Sequence, residues 1–393
     1  MLQGKWAEKS RLTVFHLVQP VEGGVARVVT DLVREQAGAG ILPVVACPPQ
    51  GRLPALAAQA GARVHSWPAV RSPGPQLVRE VRTAARLIRD SGAHVVHAHS
   101  AKAGLAGRLA VRGRVPTVFQ PHAWSFDAVQ ARSAELALRW ERYGTRWSTR
   151  TLCVSESERL AGEAAGIRAR WSVIRNGVDL SHFTARDDRS RAAARASLPG
   201  LSREPAHTPL VVCVGRLCRQ KGQDLLLRAW PAVSGAVEDA RLVLVGDGPD
   251  REELRGNAPP GVLFAGDCAD PRPWLHAADV AVLPSRWEGM ALAPLEAMAC
   301  GLPVVVTDVS GAKESLPPGH EPYALVPPEN PPALAGALVR LLTDPRLRDG
   351  LGLGAAEHAR STSDVRSTAE AVLRLYQELL DTHRPMTRKR TER

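Results

Sequence analysis

The sequence predicts two doubly wound α/β domains, and three observations carry that prediction. The chain has 393 residues, too many for one ordinary domain and suited to two of about 180 residues each. Short apolar runs alternate with helical patterns along most of its length. The alternation stops once, at a polar, proline-bearing interval, and then restarts. Apolar residues make up 44% of the chain, enough for two cores.

Taken in order, residues 12–18 form a first buried strand. Val25, Val28, Val29, Leu32 and Val33 then recur at helical spacing. Residues 43–46 are a strand, and Leu77, Val81, Ala84, Ala85 and Ile88 make a helix stripe that Gly92 ends. A strand at 95–97, a helix around 105–111 and a strand at 117–119 follow, with later strands of the same sheet at 151–154 and 172–174. Continuous apolar strands separated by amphipathic helices indicate a parallel sheet covered on both faces. Residues 181–208, with Pro199, Pro205 and Pro209 in and beside them, read as a linker carrying one short helix around 192–197. Strands resume at 210–214, 242–245, 262–264, 280–283 and 303–306, with helices between. Three helical stretches close the chain, the last at 365–380, where Val372, Leu375, Tyr376 and Leu379 share a face. The expected division is a domain at 1–180, the linker at 181–208, a domain at 209–363, a last helix at 364–382 and a basic tail at 383–393. Arg388, Lys389, Arg390 and Arg393 in that tail suit lipid phosphates or a frayed terminus. Open α/β sheets bind ligands at the carboxyl ends of their strands, and two such sheets facing each other would leave a cleft for a ligand.

Composition narrows the function classes. No apolar run approaches the ~18 residues of a membrane span, so none is expected. The charged first ten residues lack the apolar core of a secretion signal. The six cysteines, at 47, 153, 213, 218, 268 and 300, form no Cys-x-x-Cys pair and read as free thiols in a reducing cytoplasm. Residues 1–200 hold 29 Lys and Arg against 15 Asp and Glu, whereas residues 201–393 hold 22 against 25. Basic charge confined to one half suits an anionic partner, nucleic acid or an anionic membrane surface, and equally suits an Arg-rich composition on solvated helix faces. No nucleic-acid recognition motif accompanies it.

The most informative segment runs from Ser285 through Arg286, Trp287, Glu288, Gly289, Met290, Ala291 and Leu292 to Glu296, Gly301 and Pro303. It follows a buried strand. Pro294 suits a first helical turn and Gly301 with Pro303 an end, which puts Glu288 in the loop and Glu296 in the first turn. Backbone N–H groups between them, from Gly289 to Leu292, would cradle a phosphate, and a carboxylate accepts the hydroxyls of a ribose or hexose. A lone glutamate at a helix start is also favoured by the helix dipole, which would account for Glu296 by itself. The whole segment, nearly twenty residues, resembles the glutamate–seven residues–glutamate motif of glycosyltransferase family 4, retaining enzymes of the GT-B fold. The resemblance implies that Glu288 contacts the donor sugar and Glu296 the nucleotide ribose. The chain departs from the common Glu-Gly-Phe-Gly at Met290 and Ala291, and losing the second glycine is expected to narrow the backbone there.

Other motifs follow in the family's order. Val214-Gly215-Arg216-Leu217 and Gln220-Lys221-Gly222 resemble its diphosphate-binding segment, and two cations there would neutralise a leaving nucleotide diphosphate. Val245-Gly246-Asp247-Gly248-Pro249 resembles its glycine turn, and Asn176-Gly177-Val178-Asp179 the handover to the linker, a mark of architecture more than chemistry. Gly23 and Gly24, between the first strand and its helix, either admit a phosphate or simply make the turn. His97 and His99 share a strand face, yet two ligands are too few for a metal, no Cys or third His lies at metal-ligand spacing, and no Asp-x-Asp occurs, so none is expected. His122, in Pro121-His122-Ala123-Trp124, matches the family histidine that lies near the donor sugar.

The resemblance therefore implies a GT-B fold of two facing Rossmann-like domains with an interdomain cleft, the last helix crossing back to the first domain. It implies metal-independent, retaining transfer from a UDP- or GDP-sugar, with Glu288, His122, Arg216 and Lys221 as the reactive-centre residues and no cofactor. The His97 and Pro121 segments look like the subset that extends bacterial polysaccharides on polyprenyl-diphosphate lipids, so a lipid-linked acceptor is expected, with the basic half on its side. Peripheral contact with the inner membrane face would suit that charge. The stretch 136–147, with Trp140, Tyr143 and Trp147 among Arg139, Arg142 and Arg146, fits a membrane interface or a packed helix with solvated arginines. An NDP-sugar epimerase or hydrolase of the same fold and a non-catalytic donor-binding subunit are the alternatives.

Overall fold

The computed structural model describes residues 12–127, 131–202, 204–205 and 207–382. The chain divides into two compact units. The first runs to Cys153, includes Ala161–Ile174 and takes up the chain again from Ser367; the second holds Val154–Leu160 and Arg175–Arg366. The basic tail and the first eleven residues lie outside the described residues.

The first unit is built on seven strands, β1 (Thr13–Val18), β2 (Leu42–Cys47), β3 (Arg63–Ser66), β4 (Val95–His99), β5 (Thr117–Gln120), β6 (Arg150–Cys153) and β7 (Trp171–Val173). They lie in the order β3-β2-β1-β4-β5-β6-β7, and every pairing is parallel. The second unit carries β8 (Leu210–Val214), β9 (Arg241–Val245), β10 (Val262–Gly266), β11 (Val280–Leu283), β12 (Val304–Thr307) and β13 (Leu325–Val326). Their order is β10-β9-β8-β11-β12-β13, again all parallel. These are the two doubly wound α/β sheets expected from the alternation of apolar runs and helices.

Burial explains which strands the sequence reveals. Every residue of β1 and β4 is buried, because helices cover both faces; the runs are mainly apolar, interrupted by Thr13 and His16 in β1 and by His97 and His99 in β4. Two strands have no counterpart in the expected set. β3 is an edge strand with exposed Arg63, His65 and Ser66, and β13 has only two residues; neither offers an apolar run. The linker helix is Asp188–Ser197. It starts four residues before the expected 192 because Asp187 and Ser190 form a reciprocal capping box, a polar signal that hydrophobic periodicity does not register.

Each unit has its own core. Phe15, Leu17, Trp67, Ile88 and Val96 pack together in the first. Trp230, Leu242, Leu338 and Leu341 do so in the second. In each sheet the strand order reverses once, between β1 and β4 and between β8 and β11. Loops leaving the carboxyl ends of those strand pairs diverge, and ligands of open α/β sheets bind in the space between them.

Candidate functional site

The second unit places Lys221 and Glu288 at its reversal point. Glu288 lies in the loop after β11, and Lys221 ends a 3-10 turn, Arg219–Lys221, after β8. Lys221 Nζ is 2.5 Å from Glu288 Oε1, with the side chains 20% and 10% exposed. Ser285 Oγ donates to the same oxygen at 2.7 Å. Thr307 Oγ1 donates to the Ser285 carbonyl at 2.5 Å, tying the start of the loop to β12. Glu288 Oε2 makes no hydrogen bond among the described residues and is left to accept from a ligand. Gly222 follows with φ of 67°, and a Cβ there would stand 2.0 Å from the Pro284 carbonyl oxygen. Glycine thus lets the Lys221 turn lie directly on the end of β11.

Arg216 sits in the loop after β8, exposed, and its side chain has no partner among the described residues. Gln223 Nε2 holds its carbonyl at 3.1 Å, and Leu217 N donates to the Asp247 carbonyl at 3.0 Å, joining this loop to the glycine turn after β9. The unpaired guanidinium is available to an anion. Arg286 is different. It is committed to Asp224 through two 2.7 Å bonds and to Glu329 at 2.5 Å, so it clamps the loop base.

Residues Gly289 to Leu292 lead into the helix Leu292–Ala299. Its N-cap, Ala291, gives no side-chain cap, so the first N–H groups need other acceptors, as phosphate oxygens would be. Two of the loop's carbonyls are held. Ser155 Oγ donates to the Gly289 carbonyl at 2.9 Å, and Asn176 Nδ2 to that of Met290 at 2.8 Å. Gly311, φ 75°, packs so closely beneath that a Cβ would lie 2.0 Å from the Gly289 oxygen.

Three expectations change here. Glu296 is the fifth residue of its helix and not in the first turn, because the helix opens at Leu292 with Pro294 third. The dipole effect fades after one turn, so it does not account for a carboxylate 6% exposed at that position. Ala291 has φ −73° and ψ 140°, extended backbone open to any residue; the missing glycine narrows nothing. Asn176 holds the loop that follows Glu288 through the Met290 carbonyl, so its motif reaches the candidate site as well as marking the handover to the linker. Glu288 and Lys221 are brought together, whereas the Arg216 side chain has no partner among the described residues.

The first unit gathers histidines at its own reversal point. His16 on β1 and His97 on β4 are register partners, and His99 ends β4. All three are fully buried, and one nitrogen from each lies within 4.8 Å of the others. The expectation of only two metal-capable histidines is therefore one short. Sequence spacing missed His16 because the third ring comes from a strand eighty residues away; knowing that β1 and β4 are neighbours would have found it. His16 Nδ1 is 3.0 Å from His99 Nε2, His99 Nδ1 3.0 Å from half-buried His122 Nε2, and His16 Nε2 2.9 Å from Gln36 Oε1. His97 Nδ1 meets the Tyr376 hydroxyl at 2.6 Å. Burial lowers His16 to about 4 and His122 to about 3. Burial first, then neighbouring histidines, holds His97 and His99 well below the usual range.

His122 and Ala123 have φ of 57° and 105° and Ser100 has 74°, left-handed values that non-glycine residues rarely take and that concentrate at functional sites. Gly23 opens the helix Gly23–Gly38 after β1 with φ 72° and no side-chain cap, and Gly23 and Gly24 are exposed. The stretch 136–147 forms most of a helix, Ala131–Gly144, and a 3-10 turn, Thr145–Trp147. Leu136 is 66% and Tyr143 46% exposed. No described helix is long and apolar enough to cross a membrane.

Residues 22–182 match the profile of Glycosyltransferase Family 4, and residues 208–344 that of Glycosyl transferases group 1. The chain is 32% identical over 239 residues to the UDP-Gal:alpha-D-GlcNAc-diphosphoundecaprenol alpha-1,3-galactosyltransferase of Escherichia coli, covering 58% of this chain and 60% of that protein. It is 32% identical over 317 residues to a GDP-mannose-dependent alpha-(1-6)-phosphatidylinositol monomannoside mannosyltransferase of Mycolicibacterium smegmatis, covering 76% of this chain and 79% of the relative. Among solved structures, Anabaena HepE in complex with UDP and glucose superposes with a TM-score of 0.80 at 21% identity, over 94% of this chain and all of that one. At that identity the likeness establishes the fold, that of the GT-B glycosyltransferases.

Proposed function

The chain belongs to glycosyltransferase family 4, and from that premise we propose that it transfers a sugar, with retention, from a UDP- or GDP-sugar to a hydroxyl of a lipid-linked saccharide. The observation that carries the reading is the Lys221–Glu288 pair at the β8/β11 reversal, beside an uncapped helix start and the unpaired Arg216. Arg216, Lys221 and the N–H groups of residues 289–292 would hold the diphosphate and take up its charge as the glycosidic bond breaks. Glu288, paired with Lys221 and with Oε1 already occupied, suits a group that accepts a sugar hydroxyl through Oε2 better than a nucleophile. The departing diphosphate would then take the proton of the acceptor hydroxyl. Glu296 would hold the ribose, and His122 would position the sugar. Gly23 and Gly24 would admit a phosphate-bearing substrate at the first unit's helix start. Donor base stays open between uracil and guanine, since relatives named for each are similar to this chain.

Two observations favour a lipid-linked acceptor. Both relatives are named for lipid-linked acceptors, and the basic charge lies in residues 1–200. Peripheral docking on the cytoplasmic membrane face, with Leu136, Tyr143 and the nearby arginines, fits the same picture. The test is nucleotide release from a panel of UDP- and GDP-sugars, with and without polyprenyl-diphosphate saccharides and anionic vesicles. Acceptor-dependent release that disappears in Glu288→Ala is the expected result, and release unchanged by that substitution would sink the mechanism. Release without acceptor, accompanied by a new sugar isomer, would indicate an epimerase instead.

A further inference from the structure

The four histidines of the first unit form more than a cluster. The His16–His99 and His99–His122 ring centroids are each 5.3 Å apart, with planes inclined by only 22° and 23°. With 3.0 Å between the facing nitrogens, each pair of rings meets edge to edge in nearly one plane, the geometry of an N–H···N hydrogen bond. The series runs from buried Gln36, through fully buried His16 and His99, to His122, which reaches the surface.

A neutral imidazole has one donor and one acceptor, so the tautomer of each ring dictates that of the next. Gln36 Oε1 can only accept, so His16 donates from Nε2. His16 Nδ1 is then an acceptor and takes the Nε2 proton of His99. His99 Nδ1 in turn takes the Nε2 proton of His122. His122 Nδ1 is left as a bare acceptor, with no partner among the described residues.

We propose that Gln36, His16 and His99 act as positioning residues that lock His122 in its Nε2–H tautomer, so that Nδ1 accepts a hydrogen bond from a substrate hydroxyl. The role in substrate binding rests on the placement of His122 in the proposed function; the tautomer lock does not. Supporting features lie around the chain. His99 is the N-cap of the helix Ser100–Val111 yet gives no cap bond; its nitrogens are spent on its two neighbours. The positive end of that helix opposes protonation of rings beside it. Left-handed backbone at His122 and Ala123 is the strain that turns the ring back onto His99. His97 stacks on His99 at 4.0 Å between centroids and is anchored by Tyr376, which keeps the middle of the chain in place.

The tautomers are directly measurable in the full chain, labelled with 15N-histidine, by two-bond proton–nitrogen correlation. In the unsubstituted protein at pH 7, His16, His99 and His122 should all be neutral and Nε2-protonated. His16→Leu removes the acceptor facing His99, so His99 and His122 should become tautomeric mixtures. His16→Asn supplies an oxygen in place of Nδ1 and should restore the single tautomer. In the release assay kcat should fall roughly tenfold or more in His16→Leu with donor KM little changed, and recover in His16→Asn. An Nδ1-protonated or mixed His122 in the unsubstituted protein would overturn the proposal, as would a His122 tautomer indifferent to His16→Leu. Stoichiometric zinc in the isolated protein, lost in His16→Leu, would also overturn it, because the nitrogens would then be ligands. A coupled tautomer with full activity in His122→Ala would uphold the lock and remove His122 from the substrate site.

Discussion

Lys221 Nζ and Glu288 Oε1 stand 2.5 Å apart in the second unit, although sixty-seven residues separate them. Each supports the other: a half-buried ammonium needs a counter-charge, and the ion pair fixes the rotamer of the loop carboxylate, as the proposed sugar contact would require. Removing either leaves a charge only partly compensated.

Glu288→Gln should therefore lower kcat by about 100-fold or more, since transition-state charge is stabilised by groups already in place. It should also lower the melting temperature, because Lys221 loses its partner. Combining it with Lys221→Met should recover stability but not activity, as removing both members of a partly buried pair costs less than removing one. Thermal melts of the single and double variants separate the two effects. A double variant less stable than Glu288→Gln would contradict the account.

Asn176→Ala tests the loop from its other side. The Met290 carbonyl would lose its 2.8 Å donor, at a stability cost of about 1 kcal/mol for a single hydrogen bond. The loop's N–H groups would be less well aimed, so donor KM should rise roughly tenfold while kcat changes less, as expected for a ground-state binding contact. An unchanged donor KM would mean that the loop does not depend on Asn176.

How much of this was legible follows the physics of each feature. β1, β4, β8 and β11 were readable because burial on both faces forces mainly apolar runs. β3 and β13 were not, since an exposed edge strand and a two-residue strand carry no such run. Glu288 and Lys221 were readable as motif residues, but their contact depends on the β8–β11 adjacency. Ser155 signals locally only a helix start, where its Oγ accepts from the Glu158 N–H, and its bond to Gly289 exists only in three dimensions. His16 was hidden in the same way, as one polar residue within an apolar strand.

Gly311→Ala should be severe where Ala291→Gly is mild. A methyl at Gly311 would stand 2.0 Å from the Gly289 oxygen in a left-handed backbone, so the loop must shift; a loss of about 2 kcal/mol or more and weaker donor binding are expected. Ala291 is already extended, so glycine there adds only unfolded-state freedom, a loss of up to about 1 kcal/mol with little kinetic change. Denaturation midpoints and donor KM values for the two variants give the comparison, and equal effects would refute it.

Acid should destabilise the first unit earlier than carboxylate chemistry alone would. His16 titrates at about 4 in the folded chain because burial opposes its charge, whereas an unfolded histidine titrates near 6.5, roughly its unperturbed value. The unfolded state thus binds a proton that the folded state refuses. Stability is complete above about pH 6.5 and falls as pH drops toward the folded value, at about 1.4 kcal/mol per pH unit for each histidine that stays neutral. His97 and His99 are shifted in the same direction and steepen the slope. Urea midpoints at about pH 7.5, 6 and 5 should decline, and His16→Asn, with no ring to protonate, should decline less. Equal slopes in the two proteins would mean that His16 is already protonated in the folded chain, and a hydrogen-bonded series of neutral rings could not then pass through it.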